Sequence, residues 1–153
     1  MTNDSIKKAS SQTQAIKNIS VGKFYLIYDG SYPGHPGLIV WKDDKANLYL
    51  AIKFGTSSVK NNVLFKYPID EKITNSYVFK RFFLGKRKDF GSHALDRLHV
   101  KEEDILQLLK TLDFDNPLCS KNISGRNLHT YKFLIKNRHW STFLGSVYQW
   151  RFL

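Results

Sequence analysis

Short apolar and aromatic runs, each closed by turn residues, restrict the fold of this chain more than any other feature of its sequence. The runs lie at 23–28, 37–41, 48–53, 62–67 and 77–83. Their length, their β-branched and aromatic content and the Gly, Asp and Asn residues between them are typical of strands. Five short strands in succession predict a mainly β fold, an antiparallel barrel that closes on itself and so removes its exposed edges.

After residue 100 a helical period replaces this pattern. Acidic residues in a first turn and leucines on one face predict a helix over 102–112, which the segment 113–117 ends. A second helix is predicted from 124 to about 136. Both helices would lie on the rim of the barrel.

The 153 residues are enough for one domain with a hydrophobic core. Residues 1–20 are mostly polar and predict a flexible arm, so that 21–153 form a single domain with a C-terminal helical extension. Cys119, the single cysteine, excludes an internal disulfide and a zinc site built on paired cysteines. A polar N-terminus and the lack of an apolar run of about 20 residues predict a cytoplasmic protein without a membrane partner.

The chain carries 24 Lys and Arg against 13 Asp and Glu, a formal charge of +11. This excess favours a polyanion as partner over a cationic ligand. Phenylalanines lie between the basic residues of 80–88, and this mixture suits single-stranded RNA because cations bind phosphates and rings bind unstacked bases. A solvated strand face with its phenylalanines in the core would give the same pattern.

Two loops carry side chains suited to phosphate chemistry. Glycines and prolines fix the path of 33–37, and His35 at the tip of this loop suits acid–base catalysis near neutral pH. An exposed turn histidine is the alternative. The segment from Lys53 to Lys60 places the hydroxyls of Thr56 and Ser57 between lysines, which suits a bound phosphate. A turn with local Ser/Thr hydrogen bonds is the alternative.

The remaining histidines show neither metal-ligand spacing nor an accompanying cluster of carboxylates. The sequence also lacks the glycine-rich nucleotide-binding motifs and the nucleophile motif of hydrolases. We therefore expect no metal and no cofactor.

The order of these features resembles the Kid/MazF/PemK superfamily of endoribonuclease toxins over about residues 22–112. In that family a strand opens with Gly-x-Val/Ile-Tyr, a loop ending in Pro leads into a Val/Ile-rich strand, and the next strand ends in a Thr-Ser step. The matching segments are Gly22-Lys-Phe-Tyr25, Gly34-His-Pro-Gly-Leu-Ile-Val40 and Leu50-Ala-Ile-Lys-Phe-Gly-Thr-Ser57, followed by a basic strand at 77–81, Asp96-Arg-Leu98 and an acidic-start helix at 101–109.

Two features depart from the usual family pattern. His35 stands where the family has Arg before the loop proline, and the chain is longer and more basic than members inhibited by proteins. In length and charge the chain is similar to the type III branch, the ToxN and CptN toxins that a small RNA inhibits. The Leu-Ala…Thr-Ser…Lys pattern of that branch resembles Leu50, Ala51, Thr56, Ser57 and Lys60.

The resemblance implies a compact SH3-like barrel of the Kid/MazF type and a sequence-selective, metal-independent endoribonuclease toxin of a toxin–antitoxin system. A substrate 2′-hydroxyl would attack the adjacent phosphate and leave a 2′,3′-cyclic phosphate and a 5′-hydroxyl. His35 would act as acid or base, and Lys53 or Lys60 would offset the charge of the phosphorane. Thr56 and Ser57 would bind the scissile phosphate. RNA would run along Tyr32, Lys80, Arg81, Lys86, Arg87 and Lys88.

The inhibitor implied by the resemblance is a structured antitoxin RNA in the same groove, or else a small acidic protein, and protein and RNA could form a higher-order assembly. Two other functions are compatible with the same barrel. One is a non-catalytic nucleic-acid-binding regulator or phage-defence inhibitor. The other is a protein-interaction domain, which the charge disfavours.

We expect the protein to bind single-stranded RNA with an affinity that falls steeply as salt rises. A site that contacts about six phosphates gives a slope of about −4 for log affinity against log salt concentration. Fluorescence anisotropy of a labelled oligonucleotide across a salt series measures this slope. A flat dependence would contradict an electrostatic RNA site.

Overall fold

The computed structural model describes residues 19–55, 62–65 and 76–137, and it is mainly β, as predicted. No helix in these ranges is long and apolar enough to cross a membrane. Both predicted helices are present, as α1 (Glu102–Thr111) and α2 (Gly125–Lys136), and a short 3-10 helix spans Arg87–Asp89. The strands are β1 (Phe24–Ile27), β2 (His35–Asp43), β3 (Leu48–Gly55), β4 (Asn62–Phe65), β5 (Ser76–Phe79), β6 (Arg81–Gly85) and β7 (Asp113–Cys119).

The sheet is organised around β3, which pairs with three other strands. β1, β2 and β3 form an antiparallel series, and β3 then pairs with β6 through 49–51 and with β5 through 54–55. β4 pairs with β5 in antiparallel orientation, and β7 pairs with β6 in parallel orientation. The prediction of a purely antiparallel arrangement is therefore wrong, and the strand ladders of the described residues form an open, mixed sheet.

The run at 77–83, predicted as one strand, is two strands that meet at Lys80. β5 pairs Val78 with Phe54, whereas β6 pairs Phe83 with Ala51, so the register against β3 shifts by two residues between them. Extra residues of this kind bend a strand and interrupt its ladder. Lys80 and Arg81 interrupt the apolar run at this point, but two charged residues within a strand do not by themselves indicate a bend.

The segment 113–117 does end α1, but it continues as β7, a strand that the sequence does not predict. Its polar residues lack the apolar alternation of a strand, because most of this edge strand faces solvent. Pro117 is compatible with such a position, since an edge strand has backbone groups outside the ladder.

Two hydrophobic clusters cover the two faces of the sheet. The larger cluster contains alternate residues of β3 from Leu48 to Phe54, together with leucines of α1 and Tyr131 of α2. The smaller cluster contains the intervening residues of β3 and also Ile19, which belongs to the predicted arm and is 1% exposed. Burial of both faces explains why β3 is buried from Leu48 to Phe54. Residues 1–18 of the arm and 138–153 of the extension lie outside the described residues.

The segment after the 3-10 helix runs back along the outer edge of β1. The N–H of Tyr28 donates to the carbonyl of Asp89 at 2.8 Å, and the N–H groups of Gly91 and Leu95 donate to carbonyls of β1 at 2.7 Å each. Ile27 and Phe90 form an antiparallel bridge between these bonds. The pairing covers an edge that would otherwise expose its backbone groups.

Tyr131→Phe should lower the free energy of unfolding by about 1–2 kcal/mol, because a buried hydrogen bond is lost. The Tyr131 side chain is buried against Trp41, with ring centroids 5.5 Å apart, and its hydroxyl donates to the carbonyl of Phe114 at 2.6 Å. Urea unfolding measures the change. Tyr32→Phe, at a residue 99% exposed, is the matched control and should shift stability by less than about 0.5 kcal/mol. Equal losses in both variants would show that the hydrogen bond of Tyr131 contributes nothing.

Candidate active site

The register of three strands brings polar side chains to one end of the smaller cluster. Side chains alternate between the two faces along a strand. Asp29 therefore lies on the same face as Tyr25 and Ile27 of β1, and Lys53 lies on the same face as Tyr49 and Ala51 of β3. His35 pairs with Ile27, and Gly37 pairs with Lys53. Asp29, His35 and Lys53 therefore meet where the apolar face ends.

The carboxylate of Asp29 is the centre of this group. Its Oδ2 accepts a hydrogen bond from Nδ1 of His35 at 2.8 Å and forms an ion pair with the ammonium of Lys53. Its Oδ1 accepts from the hydroxyl of Ser31 at 2.5 Å and from the Ser31 N–H at 3.2 Å. The side chains of Asp29 and Lys53 are each only 8% exposed, so bulk water screens this ion pair weakly.

Opposing effects act on the pKa of Asp29. Burial raises it, because desolvation penalises the charged form, whereas the hydrogen bonds from Lys53, Ser31 and His35 lower it and together prevail. The pKa of Asp29 is held well below its ordinary value, so the carboxylate is ionised at neutral pH. An ionised carboxylate only accepts hydrogen bonds, and neutral His35 therefore carries its proton on Nδ1 and presents Nε2 as a base.

Phe79 packs against both basic members of the group. Its ring meets the ring of His35 edge-on, with centroids 5.3 Å apart, and the Lys53 ammonium lies 4.4 Å from its centroid. A Cβ at Gly55 would come within 3.1 Å of Phe79 and 3.5 Å of His35, so glycine allows the end of β3 to pass close to both rings. The His35 side chain is 28% exposed, which leaves part of the ring accessible to a ligand.

Glycines shape the loop that leads to His35. Gly30 and Gly34 have φ values of 91° and 103°, in the region that side chains disfavour. A Cβ at Gly34 would clash with the carbonyl oxygen of Ile27. The predicted position of His35 at the loop tip is corrected: the loop turns before it, and His35 is the first residue of β2, where strand pairing fixes its direction.

Asp29 and Ser31 are not among the site residues that the sequence predicts. As residues between two strands, they have the composition of an ordinary turn. The sequence signal that could have identified Asp29 is the two-residue alternation of β1. Tyr25 and Ile27 are buried on one face of the sheet, and Asp29 is the next residue on that face. A charged residue that continues a buried face requires a partner of opposite charge.

The predicted phosphate ligands Thr56, Ser57 and Lys60 lie outside the described residues, so their roles stay predictions. Gly55, the last described residue before them, lies beside His35. The sequence predicts that Lys53 offsets the charge of the phosphorane. In the structure its ammonium already forms an ion pair with Asp29, which competes with that role.

The predicted RNA-binding cations differ in what they contact. Arg81 donates to main-chain oxygens of β7 at 3.0 and 3.1 Å, and Arg87 donates to main-chain oxygens after the 3-10 helix at 3.1 and 3.3 Å. Burial also lowers the pKa of Arg87. Lys86 is half-buried, whereas Lys80 and Lys88 are exposed. The two arginines thus hold backbone segments, a role that their sequence context does not reveal.

A cleft of about 930 Å³ opens beside this group. It is lined by the loop between β1 and β2, by 88–89, by 118–122 and by Lys53. Tyr32 and Lys88 are predicted RNA-binding residues that line the cleft. His35 does not line it, but forms a hydrogen bond with Asp29, which does. Lys121, which the sequence does not single out, also lines it.

Within the described ranges, no group of three or more His, Cys, Asp and Glu side chains could hold a metal ion. Comparisons of the chain with protein-family models, with curated proteins and with solved structures find no match. The resemblance to the Kid/MazF/PemK superfamily therefore stays a prediction, and the functional argument depends on the residues themselves.

Asp29→Asn should flatten the acid limb of the stability profile. Because folding lowers the pKa of Asp29, the unfolded chain binds the extra proton in acid, and the stabilisation is lost as pH falls below about 4. The free energy of unfolding of the wild type should thus fall more steeply below this pH than that of the variant, as urea titrations across a pH series measure. Asp96→Asn, at an exposed residue, should keep the wild-type slope. Identical slopes for wild type and Asp29→Asn would contradict the lowered pKa.

Proposed function

We propose that the protein is a metal-independent endoribonuclease that uses the 2′-hydroxyl of its RNA substrate as the nucleophile. The hydrogen bond between Asp29 and Nδ1 of His35, at 2.8 Å, carries the proposal. It orients the ring and leaves Nε2 as the base. A carboxylate that fixes the tautomer of an accessible histidine is an arrangement that suits general acid–base catalysis.

In the proposed reaction, the 2′ oxygen forms a bond to phosphorus while Nε2 of His35 takes its proton. The bond between phosphorus and the 5′ oxygen breaks, and this oxygen takes a proton from water. The products are a 2′,3′-cyclic phosphate and a 5′-hydroxyl, and the imidazolium returns its proton to solvent. The growing charge on the phosphorane needs hydrogen-bond donors and cations. Thr56, Ser57 and Lys60 are the proposed donors, supported by the position of Gly55 beside His35.

Lys53 acts through Asp29 in this scheme. Its ammonium pairs with the carboxylate that orients His35, so Lys53 is a positioning residue. This role differs from the charge compensation that the resemblance implies. The difference follows from burial, because a lysine side chain that is 8% exposed and paired with Asp29 has little freedom to reach a phosphate.

We also propose that the strands belong to an SH3-like barrel of the Kid/MazF type. The support is the segment 89–95, which pairs with β1 after β6 and the 3-10 helix and so connects the two ends of the series β1, β2, β3 and β6. The charge of +11 and the order of motifs further support a toxin that acts on cytoplasmic RNA. A structured antitoxin RNA, or else a small acidic protein, would inhibit it.

His35→Ala should slow RNA cleavage by about 10²–10⁴-fold, because the general base is lost. The assay follows a labelled RNA oligonucleotide in EDTA, and the product should end in a 2′,3′-cyclic phosphate. A matched oligonucleotide with one 2′-deoxy residue at the cut site should be bound and stay intact. His129→Ala, at an exposed residue of α2, is the control and should cleave like the wild type.

Two outcomes would contradict the proposed mechanism. Cleavage of the 2′-deoxy oligonucleotide, or loss of cleavage in EDTA, would show that water or a metal-bound hydroxide is the nucleophile. Binding of both oligonucleotides without cleavage would identify a non-catalytic nucleic-acid-binding module. Overexpression in a bacterial host gives an independent readout, since the wild type should arrest growth and His35→Ala should not.

A further inference from the structure

One buried carboxylate fixes two of the segments that line the cleft. Asp89 is 3% exposed, and its oxygens accept hydrogen bonds from the side chains of Ser120 at 2.7 Å and Asn122 at 2.6 Å. Lys88 directly precedes Asp89, and Lys121 lies between Ser120 and Asn122. Asp89 therefore holds the two backbone segments that carry these lysines in one arrangement.

Both lysines expose their side chains and line the cleft. Among the described residues, the carboxylates that form salt bridges pair with other cations. Asp89 itself is directed at Ser120 and Asn122, which are neutral donors. Two exposed lysines on backbone segments that are held at one cleft suit a phosphate group.

Two tyrosines line the same cleft with large exposed areas. Tyr32 is 99% exposed and Tyr28 is 53% exposed. The N–H of Tyr28 donates to the carbonyl of Asp89 at 2.8 Å, so the base of this loop and the Lys88 segment are joined. An exposed ring presents its face to a planar partner, and a nucleobase gains stability by stacking on it.

We propose that this cleft binds single-stranded RNA, with Tyr32 stacked on an unpaired base and with Lys88 and Lys121 holding a neighbouring phosphate. The inference rests on the proposed ribonuclease activity, since Asp29 and Lys53 line the same cleft and Asp29 holds His35, the proposed base. A volume of about 930 Å³ is at the upper end of small-ligand pockets, so the open cleft has room for a nucleotide. In a duplex the faces of each base are already stacked on its neighbours. A contact with the Tyr32 ring therefore favours single-stranded RNA.

The test measures binding separately from cleavage. The probe is a fluorescein-labelled RNA octamer in which every sugar is 2′-O-methylated, because it has no free 2′-hydroxyl and cannot be cut by the proposed reaction. The double variant Lys88→Gln/Lys121→Gln should bind it about fivefold more weakly at 0.1 M salt and reduce the slope of log affinity against log salt by about 0.7, the value for one phosphate that is no longer neutralised. Lys45→Gln/Lys136→Gln, at two exposed lysines outside the cleft lining, removes the same charge and should bind within about twofold of wild type.

The tyrosine is tested by a second pair of variants. Tyr32→Ala should weaken binding about tenfold without changing the salt slope, because stacking releases no counterions, and Tyr32→Phe should bind like the wild type. Circular dichroism and urea unfolding establish that each variant is folded.

Three results would overturn the inference. Equal losses in the two double variants would show that only net charge matters. Wild-type binding by Lys88→Gln/Lys121→Gln, even with active cleavage, would place the RNA elsewhere. Displacement of the octamer by an eight-residue polyglutamate as readily as by unlabelled octamer would identify a site for acidic polymers. A wild type that binds through these residues and cuts no RNA would leave the cleft assignment standing and contradict the proposed function alone.

Discussion

A lysine buried at the end of a sheet needs a negative partner, and in this protein Asp29 provides it. A lysine side chain with 8% exposure and no partner would be strongly destabilising, because its charge would be buried without compensation, and the ion pair with Asp29 supplies that compensation. The same carboxylate holds His35 and Ser31, so the requirement for charge balance also sets the geometry of the site. Removal of either charged partner would therefore affect stability and the orientation of His35 together. This coupling links the middle strand of the sheet to the loop between β1 and β2.

Two carboxylates organise this side of the molecule in different ways. Asp89 accepts hydrogen bonds from the side chains of Ser120 and Asn122, which are neutral at every physiological pH. These hydrogen bonds hold two backbone segments together. Asp29 accepts from a lysine and from Nδ1 of a histidine, whose second ring nitrogen is not used in this contact. The donors make the difference: the neutral donors of Asp89 connect two backbone segments, whereas the donors of Asp29 include an imidazole that keeps a second nitrogen for another partner.

The sequence predicts those parts of the fold that repeat with a regular period. Both helices and the first four strands follow from apolar periodicity, while the bend at Lys80 and the edge strand β7 depend on pairing with residues distant in the chain. The same division applies to the site. His35 and Lys53 carry recognisable chemistry, but Asp29 has the composition of a turn until strand register places it beside them. Register is a tertiary property, and a single sequence specifies it only where alternation is unbroken.

Two arginines and two lysines of the described residues use their positive charge in different ways. Arg81 and Arg87 donate to main-chain oxygens, because a planar guanidinium with several N–H groups can bond to more than one carbonyl. Lys88 and Lys121 present exposed ammonium groups at the cleft. The net charge of +11 therefore overstates how uniformly the surface attracts a polyanion.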